Sequence, residues 1–199
     1  MSVSHEARSP NRLTTKDIAL IAVVSAVVGV VNIGIGTAYA AVETGLGPLG
    51  GAIMNGTYMW GFFLVYYFVR KPGCMLLVGV LEAALGALLG APSGIYTIGW
   101  GVTEGLGAEI VMAIAGHGKV KPAVFGLAGA ASAQLQTVWS WYVFGWHSTM
   151  GMYWLSIPVT LASGAIISGL LGYYLARTVE RTGLLHPSTR RRELSDSSR

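Results

Sequence analysis

Three glutamates, Glu82, Glu104 and Glu109, lie inside long apolar stretches of the chain. A charged side chain at the centre of a bilayer costs ~2.5 kcal/mol or more, so such residues normally face protein or a wet cavity and mark a functional path. A buried carboxylate can neutralise a cation or accept a hydrogen bond from an amino group. We therefore expect these glutamates to contact a ligand. The competing interpretation is a protonated or helix-bonded glutamate that only fixes packing.

Helical spacing places different neighbours beside each glutamate. Glu104 lies one turn from Trp100, so an aromatic plane and a carboxylate project in the same direction. Glu109 is five residues further on, about 140° around the same helix. The face that carries Glu82 is otherwise made of small residues and is suited to contact between helices: Gly79, Ala83, Gly86 and Gly90.

Two further pairs of polar and aromatic residues repeat at a spacing of i, i+3: Asn55 with Tyr58, and Gln136 with Trp139. Aromatic walls with a few polar anchors are the usual construction of a small-ligand site. We expect all four residues to line one pocket together with Trp100 and the glutamates. Interfacial anchoring is the alternative, and it is favoured for Trp141, Tyr142, Trp146 and Trp154. His147, near the rim, fits a solvated residue as well as a ligand-binding one.

The elements that must position these residues are membrane helices. Hydrophobic residues make up 53% of the 199-residue chain and charged residues only 11%, less than half of the ~25% that is usual in soluble domains. Six apolar segments fall at 18–39, 50–69, 74–89, 95–115, 123–144 and 153–176. We expect an all-α protein with six transmembrane helices over residues 17–177, and polar tails at 1–16 and 178–199.

The distribution of positive charge predicts the orientation. With six crossings, all 13 Lys and Arg residues fall on one side of the bilayer, and the positive-inside rule makes that side cytoplasmic. Both termini are then cytoplasmic. The basic residues flank apolar spans and form no patch on a folded surface, which argues against nucleic acid as a partner. The single cysteine, Cys74, excludes an intrachain disulfide.

Rows of small residues recur in the first and sixth apolar segments, as Ala22–Ala26 and as Gly164–Ser168–Gly172. Such rows let helix backbones approach closely within a bilayer, so internal packing is the simpler interpretation. The sequence lacks a His/Cys/Asp cluster with metal-ligand spacing, a nucleotide-binding G-x-x-x-x-G-K-[ST] motif and a G-x-S-x-G nucleophile motif. A binding protein without a cofactor therefore fits better than an enzyme.

Two stretches carry a resemblance to a known family. "RKPGCMLLVGVLEAALGALLGAPSG" at 70–94 and "GLGAE" at 105–109 resemble the S components of energy-coupling-factor (ECF) vitamin transporters, in particular the YkoE-type family. The resemblance implies a multi-pass protein of a prokaryotic cell membrane that binds thiamine or its hydroxymethylpyrimidine precursor. It also implies partners, namely a transmembrane coupling (T) subunit and two ATP-binding cassette ATPases. Ala22–Ala26 matches the A-x-x-x-A contact to the coupling subunit that is typical of S components.

Other functions remain open at this point. A ligand site of the same kind could accept another small cation or heterocycle. A self-sufficient secondary carrier could use Glu82 or Glu104 to exchange a proton for its solute. A membrane enzyme fits least well, because no catalytic constellation is visible.

Overall fold

The computed structural model describes residues 12–91, 93–144, 150–183 and 185. Within these ranges the regular structure is helical and contains no strand. A 3-10 turn at Asn55–Thr57 follows the second helix, and a π-helical segment at Gly164–Leu170 precedes the last one. The α-helices are α1 Thr15–Leu46, α2 Pro48–Met54, α3 Trp60–Val69, α4 Cys74–Leu88, α5 Tyr96–Ala115, α6 Pro122–Phe144, α7 Met150–Ser163 and α8 Leu171–Arg181.

Five of the six predicted apolar segments coincide with helices. Those at 18–39, 74–89, 95–115 and 123–144 match α1, α4, α5 and α6, and the sixth matches α7, the π segment and α8. Three helical stretches are long and apolar enough to cross a membrane, namely Thr15–Leu46, Tyr96–Ala115 and Trp154–Arg181, and Cys74–Leu88 is a shorter apolar helix. The prediction of an all-α fold is confirmed.

The ends of α1 follow from local sequence. Thr14 and Asp17 form a capping box, in which each side chain bonds the other residue's backbone N–H and so satisfies donors that a helix start leaves free. Gly47 ends the helix with a positive φ of 61°, a conformation that costs glycine least. Pro48 then opens α2 at a position where its missing N–H is not needed.

The second segment differs from the prediction of one continuous helix over 50–69. It is broken at Asn55–Thr57, and hydroxyl groups from distant helices bind the backbone around the break. Ser163 accepts from the Gly56 N–H at 3.0 Å and donates to the Ile53 carbonyl at 2.5 Å. Ser168 donates to the Gly56 carbonyl at 2.6 Å. An irregular backbone can exist at membrane depth only where other groups satisfy it in this way.

Glycines bring the helices into close contact. A Cβ atom at Gly79 of α4 would overlap the Gly101 carbonyl of α5, and one at Gly129 of α6 would overlap the Gly164 carbonyl. In the row of small residues in the last span, Gly164, Ser168 and Gly172 are all buried, which confirms internal packing there. Ala22 and Ala26 of α1 are instead exposed, as are their neighbours Val23 and Val27.

Aromatic packing closes one end of the bundle. We call this the basic end, because it carries Arg70, Lys71, Lys119 and Lys121. Phe63 and Tyr66 of α3 lie against Phe125 of α6, with ring centroids 5.6 and 6.0 Å apart. Polar contacts tie the surrounding elements together: Lys71 to Asp17 at 2.6 Å, Tyr67 to Glu180 at 2.6 Å and the Gly118 N–H to the Tyr66 hydroxyl at 3.1 Å.

Some of the predicted features lie outside the described residues. They are Trp146 and His147 at the predicted rim, residues 1–11 of the first tail, and residue 184 and residues 186–199 of the second.

Candidate functional site

A cavity of about 260 Å³ opens in the half of the bundle away from the basic end. Its wall comes from α1 between Gly29 and Glu43, α4 between Gly79 and Gly86, the first half of α5 and the second half of α6. Ala91 and Ser93, before α5, and Tyr58, just after the break, complete it. The break at Asn55–Thr57 matters here because Tyr58 follows it directly. One continuous helix would have positioned the Tyr58 ring differently. We call this half of the molecule the cavity end.

Five of the residues that the sequence singled out line this cavity: Tyr58, Glu82, Trp100, Glu104 and Gln136. The expected projection of Trp100 and Glu104 from one face of α5 is confirmed. Glu82 and Gln136 come from α4 and α6, on either side of α5 in the chain. The structure therefore brings together two carboxylates, two aromatic rings and an amide from three helices and the segment after the break.

Glu82 is held by a residue that sequence reasoning missed. The side-chain amide of Asn32, on α1, donates hydrogen bonds to Glu82 Oε1 and, at 3.0 Å, to the Tyr58 carbonyl. Glu82 is only 7% exposed, and its second oxygen, Oε2, is buried without a partner. The residue type alone could have indicated this role. Burying an amide within an apolar run costs free energy unless the amide has a hydrogen-bond partner.

The aromatic wall is fixed by its own contacts. The Trp100 indole N–H donates to Ser140 Oγ at 2.6 Å, which sets the plane of the ring on α5 against α6. The rings of Tyr39 and Tyr58 lie 6.0 Å apart at 58° on the other side of the cavity. Glu104 is 5% exposed, and its carbonyl accepts a hydrogen bond from Ser132 at 2.5 Å, so its segment of helix is anchored to α6.

Asn55 and Trp139 do not line the cavity. The Asn55 amide donates to Thr137 Oγ1 at 2.9 Å and so helps to fix the break to α6. Trp139 lies against Gly99, stacks on Tyr142 and donates to the Tyr96 carbonyl at 3.4 Å. Its indole therefore packs against the first turn of α5 and does not enter the cavity.

Glu109 lies at the other end of α5 from the cavity. Its Oε1 accepts from the Met75 N–H at 2.9 Å, in the first turn of α4, and its Oε2 lies 3.4 Å from His117. A carboxylate at this position satisfies a donor that the helix start leaves free and interacts favourably with the positive end of the helix dipole. The contacts of Glu109 thus match the packing alternative.

The electrostatics of the cavity are one-sided. Glu43, Glu82 and Glu104 all line it, and its described wall includes no Lys, Arg or His. Carboxylates beside aromatic faces favour a cation or a hydrogen-bond donor over an anion. The described residues also contain no group of three or more His, Cys, Asp or Glu side chains that could hold a metal ion.

Comparisons with known proteins agree with this arrangement. Residues 16–135 match the model of a family described as the permease component of an ABC-type cobalt transport system. Over 181 residues the chain is 30% identical to YkoE of Bacillus subtilis (strain 168), named an HMP/thiamine permease protein, and the match covers 90% of both chains. The crystal structure of an S component of an ECF transporter superposes with a TM-score of 0.86 at 26% identity, over 94% of this chain and 96% of that one.

The last two likenesses extend over nearly the whole chain. The proteins concerned are transport components and not enzymes. The chain belongs to the YkoE-type family of ECF-transporter S components.

Proposed function

We propose that this protein is the substrate-specific subunit of an ECF-type importer and captures thiamine or hydroxymethylpyrimidine (HMP) from outside the cell. The observation that carries the proposal is the cavity, in which Glu82 and Glu104 face Trp100 and Tyr58 at the end of the bundle opposite the basic end. The name of YkoE, an HMP/thiamine permease protein, supports the same substrate class.

The chemistry of the ligand matches the wall. Thiamine joins a cationic thiazolium to an aminopyrimidine, and HMP retains the pyrimidine half. An aromatic face attracts a cation and stacks on a flat ring, and a carboxylate can neutralise the first or accept from the amino group of the second. We assign substrate contact to the five residues named above on the cavity wall.

A binding measurement on the purified subunit tests this assignment. Isothermal titration with thiamine and with HMP should give saturable binding of at least one of them, because the proposed site is complete without partner subunits. An unrelated anionic vitamin serves as the control ligand and should not bind. If neither thiamine nor HMP binds, this substrate assignment is wrong.

We further propose an orientation in a prokaryotic cell membrane. Six crossings over residues 17–177 would leave the tails at 1–16 and 178–199 in the cytoplasm, and the cavity would open outward. Cys74 is fully buried and should not react with a thiol reagent, so labelling will report the introduced cysteine. An impermeant thiol reagent should label Gly45→Cys on intact cells and should leave Pro72→Cys unlabelled. The reverse pattern would overturn the orientation.

The proposed partners are a transmembrane coupling subunit and two ATP-binding cassette ATPases. The exposed Ala22 and Ala26 offer a flat strip on α1 to which another helix can pack closely. Ala22→Leu or Ala26→Leu should weaken co-purification with the coupling subunit and leave vitamin binding by the isolated subunit intact. Ala38→Leu, at another exposed alanine of α1, is the matched control. Uptake that persists without any ATPase would indicate a self-sufficient carrier instead.

A further inference from the structure

The side-chain amide of Asn32 has only one orientation that satisfies its neighbours. Its nitrogen lies between Glu82 Oε1 and the Tyr58 carbonyl oxygen, and both of these atoms accept hydrogen bonds. The nitrogen must therefore face them, and Asn32 Oδ1 must face away. One amide thus joins α1, the segment after the break and α4, and it fixes which oxygen of Glu82 is engaged.

What remains is a set of acceptors on the cavity wall. Asn32 Oδ1, Glu82 Oε2 and Gln136 Oε1 are buried acceptors with no hydrogen-bond partner, and Thr97 Oγ1 on the same wall is a buried hydroxyl without one, which can accept or donate. Glu82 and Gln136 are 7% and 6% exposed. Leaving a buried polar atom without a partner destabilises the folded state, so native structures rarely retain one that is never satisfied. Donor groups of a ligand in the cavity would satisfy these atoms, because all four residues line it.

We propose that Asn32 is a positioning residue that engages Glu82 Oε1 and leaves Oε2 to accept from a ligand, and that this acceptor cluster selects its ligand through a donating amino group. The inference rests on the proposed function and deepens it. The aminopyrimidine amino group is then the determinant that thiamine and HMP share. The thiazolium adds charge but is not the feature that the cluster recognises.

The consequence is discrimination against a ligand that presents an acceptor at the same place. An oxo group in place of the amino group would set its oxygen against oxygens of Glu82 and Asn32. Sites built to hydrogen-bond one group reject the analogue that lacks it, because their own buried polar atoms then lose their partners. Size and net charge are retained, while donor and acceptor are exchanged at the exocyclic group and at the adjacent ring nitrogen, so the comparison isolates this edge of the pyrimidine.

The test compares thiamine with its analogue in which an oxo group replaces the exocyclic amino group. Both carry the thiazolium, so the difference in their binding to the purified wild-type subunit reports the pyrimidine edge that carries the amino group. We expect thiamine to bind at least about tenfold more tightly, since a hydrogen bond to a charged group contributes about 1.5–3 kcal/mol. If the two Kd values are equal, the inference is wrong while the proposed function stands. If neither compound nor HMP binds, the proposed function itself fails.

Asn32→Ala then tests the positioning role. This variant should lose affinity for thiamine by about tenfold or more and change little for the oxo analogue, so the ratio of the two Kd values should approach one. Equal loss for both ligands would indicate a structural role only. The matched control is Ser25→Ala, because Ser25 also lies on α1 and donates to α4, at the Val78 carbonyl 3.5 Å away, but does not line the cavity. That control should retain the wild-type ratio.

Discussion

At the basic end of the bundle both carboxylate oxygens of Glu109 have partners, whereas at the cavity end Glu82 has a partner for only one. The same contrast extends to the surroundings. The basic end is filled by fully buried rings such as Phe63, Tyr66 and Phe125, whereas the wall of the cavity end combines aromatic and acidic side chains with many small residues around a space of about 260 Å³. An intramembrane carboxylate is therefore informative about ligands only after its own protein contacts have been counted.

The most damaging change should be one that forces the wall of the cavity end apart. In Gly101→Leu, a Cβ would overlap the Gly79 carbonyl, which belongs to the backbone of α4 and cannot move aside cheaply. We expect a loss of about 3 kcal/mol or more in unfolding free energy, together with loss of ligand binding. Gly34→Leu is the control, because a Cβ added at Gly34 would meet no atom within 4 Å and should not destabilise the protein in detergent unfolding.

The next prediction exchanges charge for an amide in each half. Glu104→Gln should weaken thiamine binding about ten- to hundredfold, because a charge-assisted contact contributes about 1.5–3 kcal/mol. Glu109→Gln should leave the Kd unchanged and lower thermal stability, since it weakens the contacts to Met75 and His117. Titration and thermal unfolding of both variants provide the comparison. A larger affinity loss in Glu109→Gln would reverse the assignment of the two carboxylates.

A tryptophan pair sharpens the comparison within the cavity end. Trp100→Ala removes a ring from the wall and should weaken binding by about tenfold through lost stacking and buried area. Trp139→Ala removes a ring that packs on Gly99 at the rim and should leave binding close to wild type. Equal losses in both variants would show that the indole of Trp139 reaches the ligand after all.

The smallest effect is expected at the basic end. Asp17 Oδ2 accepts from Lys71 Nζ at 2.6 Å and from the Thr14 N–H at 2.8 Å, so Asp17→Asn loses a charge from both contacts but keeps an acceptor. We expect a loss of about 0.5–1 kcal/mol in unfolding free energy and no change in ligand affinity. High salt should reduce the difference between variant and wild type. A change in Kd would show that the two ends are coupled.

The sequence predicted the helical fold and much of the cavity wall, and it failed where position depends on a partner distant in the chain. Glu82, Trp100 and Glu104 could be found because a charge in an apolar helix has few explanations and helical spacing places it on one face. Asn55 was misplaced because the break at Asn55–Thr57 invalidates spacing within a continuous helix. The break itself depends on Ser163 and Ser168, which no local pattern connects to it.

Asn32 and Trp139 illustrate two other limits. Asn32 lies seven residues after Ser25 and seven before Tyr39, so spacing places all three on one face of α1, but only its hydrogen bonds to Glu82 and Tyr58 reveal its role. Trp139 shares a helix with Gln136 at i, i+3, but the angle of about 60° between such positions is enough to turn one into the cavity and the other onto its rim. An amphipathic pattern predicts which residues share a face of a helix. It does not predict which residues of that face line a cavity and which lie beside it.

The hydrogen bonds from Ser163 and Ser168 to the backbone around the break have a consequence for folding during synthesis. Gly56 is synthesised 107 residues before Ser163 and 112 residues before Ser168. When the early part of the chain leaves the ribosome, the partners of its irregular backbone do not yet exist. That backbone must stay hydrated or helical until the last span arrives. The wall around Tyr58 can therefore be completed only after Ser163 and Ser168 have been synthesised, so the cavity forms late in folding.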